Sequence, residues 1–172
     1  RLDDKFCICA SPERFLKKTG DKILSQPIKG TIKRNSNKEI DTNNKIQLMN
    51  SSKDFSENVM IVDLVRNDLS KISKKSSVKI DELAKLYSYT NVHHLISTIS
   101  CHFDKEKSFK DLINATFPMG SMTGAPKLKS MELIEKFEDS KRGLFSGSIG
   151  YISPNFDFDF NVVIRSILYN KN

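Results

Sequence analysis

No stretch of the 172-residue chain has enough consecutive apolar residues to span a membrane, which excludes a hydrophobic membrane helix. The opening "RLDDKFCICASPERF" lacks an apolar stretch behind a basic end and does not begin with Met. It therefore reads as no secretory signal, and a piece of a longer chain is the expectation. Cysteine is scarce, with three residues. Cys7 and Cys9 lie two apart on an apparent strand, so they point the same way and do not bridge easily, and Cys101 has no evident mate. Cys101 with His102 fits no zinc spacing, so reduced thiols in a cytoplasmic protein are the expected state. Internal repeats and sharp linkers are also missing. Aromatic residues do not interleave with the lysine clusters at 33–53 and 70–77, as a single-strand nucleic-acid binder would need. The net charge of +7 therefore does not point to nucleic acid, and small anions are the better partners.

With 38% hydrophobic and 28% charged residues, the chain is composed like one globular domain with a real core. "KFCICAS" alternates as a strand, and "SPERFLKK" reads as a turn after it. "SQPIKGTIKRN" places Lys29 between Pro27 and Gly30, which together suggest a tight turn. Residues 33–53 read as a solvated polar loop. "DFSENVMIVDLVRNDLSKI" is apolar on most sides, as a buried helix is, with Asp54 and Glu57 spaced as a capping box at its start. "SVKIDELAKLYSY" and "NVHHLISTISCHF" read as strands, the second with Leu95, Ile99, Cys101 and Phe103 on one face. "SFKDLINATF" is a short helix capped by Ser108 and Asp111. A Gly-rich turn then leads through Pro126 into a helix with Leu128, Met131, Ile134 and Phe137 at helical spacing. The end reads as two strands joined at "SPNFD". The fold class expected is α+β.

Several residues offer chemistry. A Gly-Ser-Met-Thr-Gly turn feeding a helix would aim free N–H groups at one point, which suits a carboxylate or phosphate. Arg165 shares a strand face with Val163 and Ile167, so burial and a carboxylate partner are expected, from the protein or from a substrate. His94 shares a face with Ile96 and Thr98, where a hydrogen-bonded core histidine is the commoner outcome. Glu57 is equally a cap residue, and Glu13 a loop acid. Together, these segments describe a basic pocket for a small carboxylate.

The order of the segments is more specific than any one of them. "SPERFL", "PIKGT", "ENVMIVDLVRNDL", "HHLIST", "GSMTGAPK", "GSIGY" and "DFNVVIRS" run from Cys7 to Leu168 in the order seen in chorismate-utilising enzymes. The chain resembles the large subunits of anthranilate synthase and aminodeoxychorismate synthase. The resemblance implies mostly antiparallel sheets with flanking helices, part of a two-subdomain α/β sandwich. It also implies that residues 1–172 form a partial catalytic domain, without some N-terminal strands and without a C-terminal metal-binding segment.

Most members of the family have Ala where Lys29 stands, and aminodeoxychorismate synthases commonly have Lys. The resemblance therefore implies amination of chorismate to 4-amino-4-deoxychorismate, on the way to p-aminobenzoate and folate, in the cytoplasm. Lys29 would be the nucleophile at ring carbon 2, and Glu13 the acid that protonates the departing hydroxyl. His94 would lie against the ring. Gly30, Thr31, Ser121, Thr123 and Arg165 would contact the substrate, with Phe145 replacing a Tyr found in many members. Glu57 would bind Mg²⁺, and ammonia would come from a glutamine amidotransferase subunit or domain. Two alternatives stand beside this reading: 2-amination to anthranilate, and a non-catalytic basic binding module.

Overall fold

The computed structural model of the chain describes residues 4–170. Four strands come first, β1 (Lys5–Cys9), β2 (Arg14–Thr19), β3 (Lys22–Gln26) and β4 (Ile28–Lys33). Helices α1 (Lys38–Met49) and α2 (Ser52–Ser70) precede β5 (Lys79–Ser88) and the long β6 (Val92–His102). After α3 (Phe109–Thr116), α4 (Gly120–Thr123) and α5 (Lys127–Phe137) come β7 (Ser148–Ile152), β8 (Phe158–Val162) and β9 (Ser166–Asn170).

The main sheet has the order β4-β6-β3-β2-β8-β7, with β5 also paired to β6. Its strand pairs are antiparallel, as expected of the α+β class, and β1 and β9 form a separate antiparallel pair. β6 organises the sheet. β3 takes its residues Ile99–His102 and β4 its residues Val92–Ile96, while β5 pairs along its residues His93–Ser100. Pro27 separates β3 from β4 because it has no N–H to give to a ladder. Its carbonyl nonetheless accepts from Ser97 N at 3.1 Å, so β3 and β4 continue as one interrupted strand.

α2 lies against β4, β5 and β6 and buries Ile61, Val62 and Leu69. Val62 and Leu69 join Leu16, Ile23, Ile99 and Val162 in the core. Each such side chain, fully removed from water, contributes about 1.5–3 kcal/mol. The α3 cap is the expected one, with Ser108 and Asp111 in a reciprocal capping box.

The fold departs from the sequence expectations in several places. "RFLKKT" is strand β2 rather than a turn. The polar stretch contains α1, which Asn37 caps by accepting from Glu39 N and Ile40 N. The capping residue of α2 is Ser51, whose hydroxyl accepts from Asp54 N at 3.2 Å, so Asp54 and Glu57 are not its cap. α2 is also one-sided, with Phe55, Val59 and Met60 exposed. The apolar spacing of α5 covers no core, and Leu128 and Phe137 are exposed. The C-terminal region holds three strands, because the chain breaks between β8 and β9.

Candidate functional site

Lys29 sits in strand β4 and not in a turn. The register explains why the residues around it looked like one. Ile28 pairs with Ile96 and Thr31 with His94, so three steps along β4 meet two along β6. The extra residue is a β-bulge, a device that re-aims a side chain out of the strand alternation. Gly30 makes it possible in two ways. Its φ is +95°, which disfavours any side chain, and a Cβ there would stand 3.1 Å from Asp54 Cβ and 3.2 Å from Leu48 Cδ1. The bulge removes the ladder partner of the Lys29 carbonyl, and Asn58 of α2 replaces it with an N–H from Nδ2 at 2.7 Å.

Glu13 lies just before β2, buried at 7% exposure. Burial holds its proton more tightly than an ordinary glutamate does, while a hydrogen bond from Ser121, the charge of Lys29 and a backbone hydrogen bond from Ile28 oppose that effect. Burial wins, and the carboxyl is raised. Glu13, Lys29 and Ser121 are thus brought together from β2, β4 and α4. A carboxyl group whose protonated form is favoured by burial, placed beside an amine, is suited to protonating a leaving group while the amine attacks.

His94 faces Thr31 across the β4–β6 ladder, with Nδ1 2.7 Å from Thr31 Oγ1. Its ring is edge-on to Tyr89 at 5.7 Å. Burial, and then the charge of Arg165, push its proton affinity down, while a backbone hydrogen bond with Gly30 works the other way. The ring is a neutral group at neutral pH. Arg165 therefore approaches the same site, but not as its strand pattern implied. It is exposed, and it occupies the break between β8 and β9 with φ +51°. That turn rotates its side chain out of the alternation that would have buried it.

A cleft of about 280 Å³ opens beside Glu13, lined also by Ile28, Tyr89, Ile96 and Asn161. That is near the lower end for small-molecule pockets. Thr123 and Phe145 line a different cleft, with Phe117, Met131 and Ile134. Phe145 is half exposed there and stacks against the Arg142 guanidinium at 5.8 Å. The Gly-Ser-Met-Thr-Gly segment is a one-turn helix of its own, in which Gly124 N bonds back to Gly120 O at 3.0 Å. The segment is thus itself helical rather than a loop leading into α5, and neither α4 nor α5 has a side-chain cap at its N-terminus.

Glu57 is half-buried on α2, one turn beyond Asp54. Among the described residues no three His, Cys, Asp or Glu side chains converge to hold a metal, so these two carboxylates do not form a complete cation site by themselves. Two features escaped the sequence reading. Asn58 was hidden inside "SENVMIVDL", although a polar residue on the inner side of an apolar helix is a signal in itself. Asp68 of α2, buried, is ion-paired to Lys127, which also donates to Thr116 O at 3.2 Å and so ties α5 and α3 to α2.

Comparison with known proteins follows the same lines. The sequence profile of a family described as "chorismate binding enzyme" matches residues 1–172. The chain is 48% identical over 164 residues to a protein of Oryza sativa subsp. japonica named "Probable aminodeoxychorismate synthase, chloroplastic", covering 95% of this chain and 18% of that protein. It is 41% identical over 167 residues to "Aminodeoxychorismate synthase component 1" of Escherichia coli (strain K12), covering 97% of this chain and 37% of that one. The crystal structure of anthranilate synthase component I from Streptococcus pneumoniae TIGR4 superposes with a TM-score of 0.87 at 31% identity, over 99% of this chain and 37% of that chain.

Proposed function

The chain belongs to the chorismate-binding enzyme family, and from that premise we propose that it carries the amination site of an aminodeoxychorismate synthase. The observation that carries the proposal is the bulged Lys29 beside the buried Glu13, whose carboxyl burial shifts upward. The Oryza sativa and Escherichia coli relatives bear the name aminodeoxychorismate synthase, which supports this reading. The chain spans under two-fifths of their length, so activity is assigned to the full-length protein.

In the proposed chemistry Lys29 Nζ attacks ring carbon 2 of chorismate with its lone pair. The ring double bond shifts and the carbon 4–oxygen bond breaks, while Glu13 donates its proton so that water leaves. Ammonia then adds at carbon 4, the double bond shifts back, the carbon 2–nitrogen bond to Lys29 breaks, and the surplus proton of the added ammonia returns to Glu13. The net change is chorismate plus ammonia to 4-amino-4-deoxychorismate plus water. Burial of Glu13 favours the first step, because raising the carboxyl increases the share of the acid that carries a proton to give. His94, held neutral and pinned by Thr31, bounds the site without adding charge. Arg165, exposed toward it, is free to pair with a substrate carboxylate.

The cofactor proposed is Mg²⁺, toward which Glu57 would contribute one carboxylate. A hard cation of this size prefers six oxygens, more than the described residues bring together, and no step above runs through it. Ammonia is proposed to come from a glutamine amidotransferase subunit or domain, in the cytoplasm, where free Cys7, Cys9 and Cys101 remain reduced. No helix among the described residues is long and apolar enough to cross a membrane.

The test is product analysis of the full-length protein with chorismate, Mg²⁺ and an ammonium salt. The expected product is 4-amino-4-deoxychorismate, converted to p-aminobenzoate by an added lyase. Anthranilate as the main product would assign the chain to the other branch.

A further inference from the structure

The bulge that displays Lys29 does not stand alone. β5 carries a second irregularity on the opposite edge of β6, between Glu82 and Lys85, where Ala84 has φ +45°. One hydrogen-bonded chain joins the two. The Ala84 N–H donates to Ser97 Oγ at 2.9 Å, and Ser97 Oγ donates to Asn58 Oδ1 at 3.0 Å. Asn58 Nδ2 in turn donates to the Lys29 carbonyl at 2.7 Å and to the Asp54 carbonyl of its own helix at 3.0 Å. Ser97 is fully buried and Asn58 is 1% exposed, so water does not compete for these bonds.

We propose that Asn58 is the positioning residue of this site, whose side-chain amide sets the bulge that aims Lys29 at the substrate. The inference rests on Lys29 being the nucleophile. Its physical basis is an accounting of backbone groups. A bulge strips a half-buried carbonyl of its ladder partner, and leaving it unpaired beside the buried Asn58 would favour the return of β4 to a regular register. In a regular register Lys29 would regain the strand alternation and lose its separate direction. Asn58 satisfies the carbonyl from outside the sheet. Its own orientation is fixed because Oδ1 is committed to Ser97, which leaves Nδ2 facing Lys29. Asparagine suits the position because one side chain must accept on one side and donate on the other. Aspartate keeps the shape and loses the donor.

The experiment uses full-length protein and the variants Asn58→Asp and Ser97→Ala, incubated with chorismate and no ammonia. The reading is the rate of covalent adduct formation on Lys29 per folded molecule, together with kcat and KM in ammonium salt. Misplacement of a reacting group by about 1 Å can cost about 100-fold in rate, so Asn58→Asp is expected to slow adduct formation and kcat by about that factor, with KM nearly unchanged. Ser97→Ala, which releases Asn58 without removing its donor, is expected to show a smaller loss of the same kind, and it carries the test if Asn58→Asp does not fold. A purely structural role predicts less folded protein but an unchanged adduct rate per folded molecule in both variants, and that result overturns the proposal. Absence of an adduct in the unmodified protein would instead overturn the assignment of Lys29, and this inference with it.

Discussion

Thr31 Oγ1 and His94 Nδ1 lie 2.7 Å apart, between residues directly paired across β4 and β6. The pairing joins the end of the Lys29 bulge to a fully enclosed imidazole. Thr31→Val keeps the shape and removes the partner, leaving a buried ring nitrogen unpaired at a cost of about 1–3 kcal/mol. Chemical denaturation should read that loss. His94 is also a pH-sensitive element. Its folded proton affinity is depressed below the ordinary 6.5, so its contribution to stability is present above that pH and is lost as pH falls below it. His94→Gln should flatten the stability profile on the acid side of 6.5, and an unchanged profile would contradict the burial assigned to the ring.

Glu13 has the opposite sign. Its folded proton affinity lies above the ordinary 4.5. Stability from this group is therefore fully present below that pH and is lost as pH rises through the folded value. Glu13→Gln should gain in melting temperature relative to the unmodified protein as pH rises from 4.5, and the difference should level off once Glu13 has ionised. The same variant should lose amination activity at every pH. A variant that retains full activity would remove Glu13 from the role of acid.

The ion pair of Asp68 with Lys127 is almost closed to solvent, with side chains 6% and 14% exposed. Lys127→Met would leave Asp68 only the partly exposed Lys71, at 3.3 Å. Breaking a buried pair from one side is costly, and a loss of about 3 kcal/mol is expected. Equilibrium unfolding in urea measures it, and a change below 1 kcal/mol would place the pair in the weak class of surface ion pairs.

Arg165→Lys keeps the charge and removes the planar fork needed to grip a carboxylate at two points. Chorismate binding should weaken by about 1.5–3 kcal/mol, the range for hydrogen bonds to charged groups. Folding should be unaffected, since the side chain is exposed. Arg165→Met should also raise the proton affinity of His94, because the Arg165 charge is one of the two causes that depress it. Proton NMR titration of His94 distinguishes this outcome from no change.

Local rules served the sequence reading where one signal dominated. The Ser108–Asp111 box marked α3, and alternation marked β5 and β6. Those rules failed where a tertiary partner reversed the local preference. Pro27 and Gly30 punctuate a turn in isolation, but β6 offers a ladder that keeps the segment in a bulged strand. α1 has no apolar stripe to announce it, and it forms on the Asn37 cap with Asp41 and Leu48 buried. Asp41 is fixed there by His93 and Arg34, each at 3.0 Å, from segments distant or separate in sequence. Arg165 was expected inside because alternation assumes an unbroken strand, and a left-handed residue breaks that premise. The order of the motifs named the candidate site residues as a set. The division that leaves Thr123 and Phe145 in a separate cleft depends on how the helices α4 and α5 pack, and no local pattern reports that.

The central claim is that Lys29 forms a covalent bond to the substrate, and mass spectrometry tests it most directly. Full-length protein incubated with chorismate and without ammonia should gain an adduct on the peptide containing "PIKGT", mapped to Lys29 and absent from Lys29→Ala. The Ala variant should divert part of its flux to the 2-amino product, because ammonia can then attack carbon 2 itself. No adduct on Lys29, together with near-normal 4-amino product from Lys29→Ala, would contradict the account.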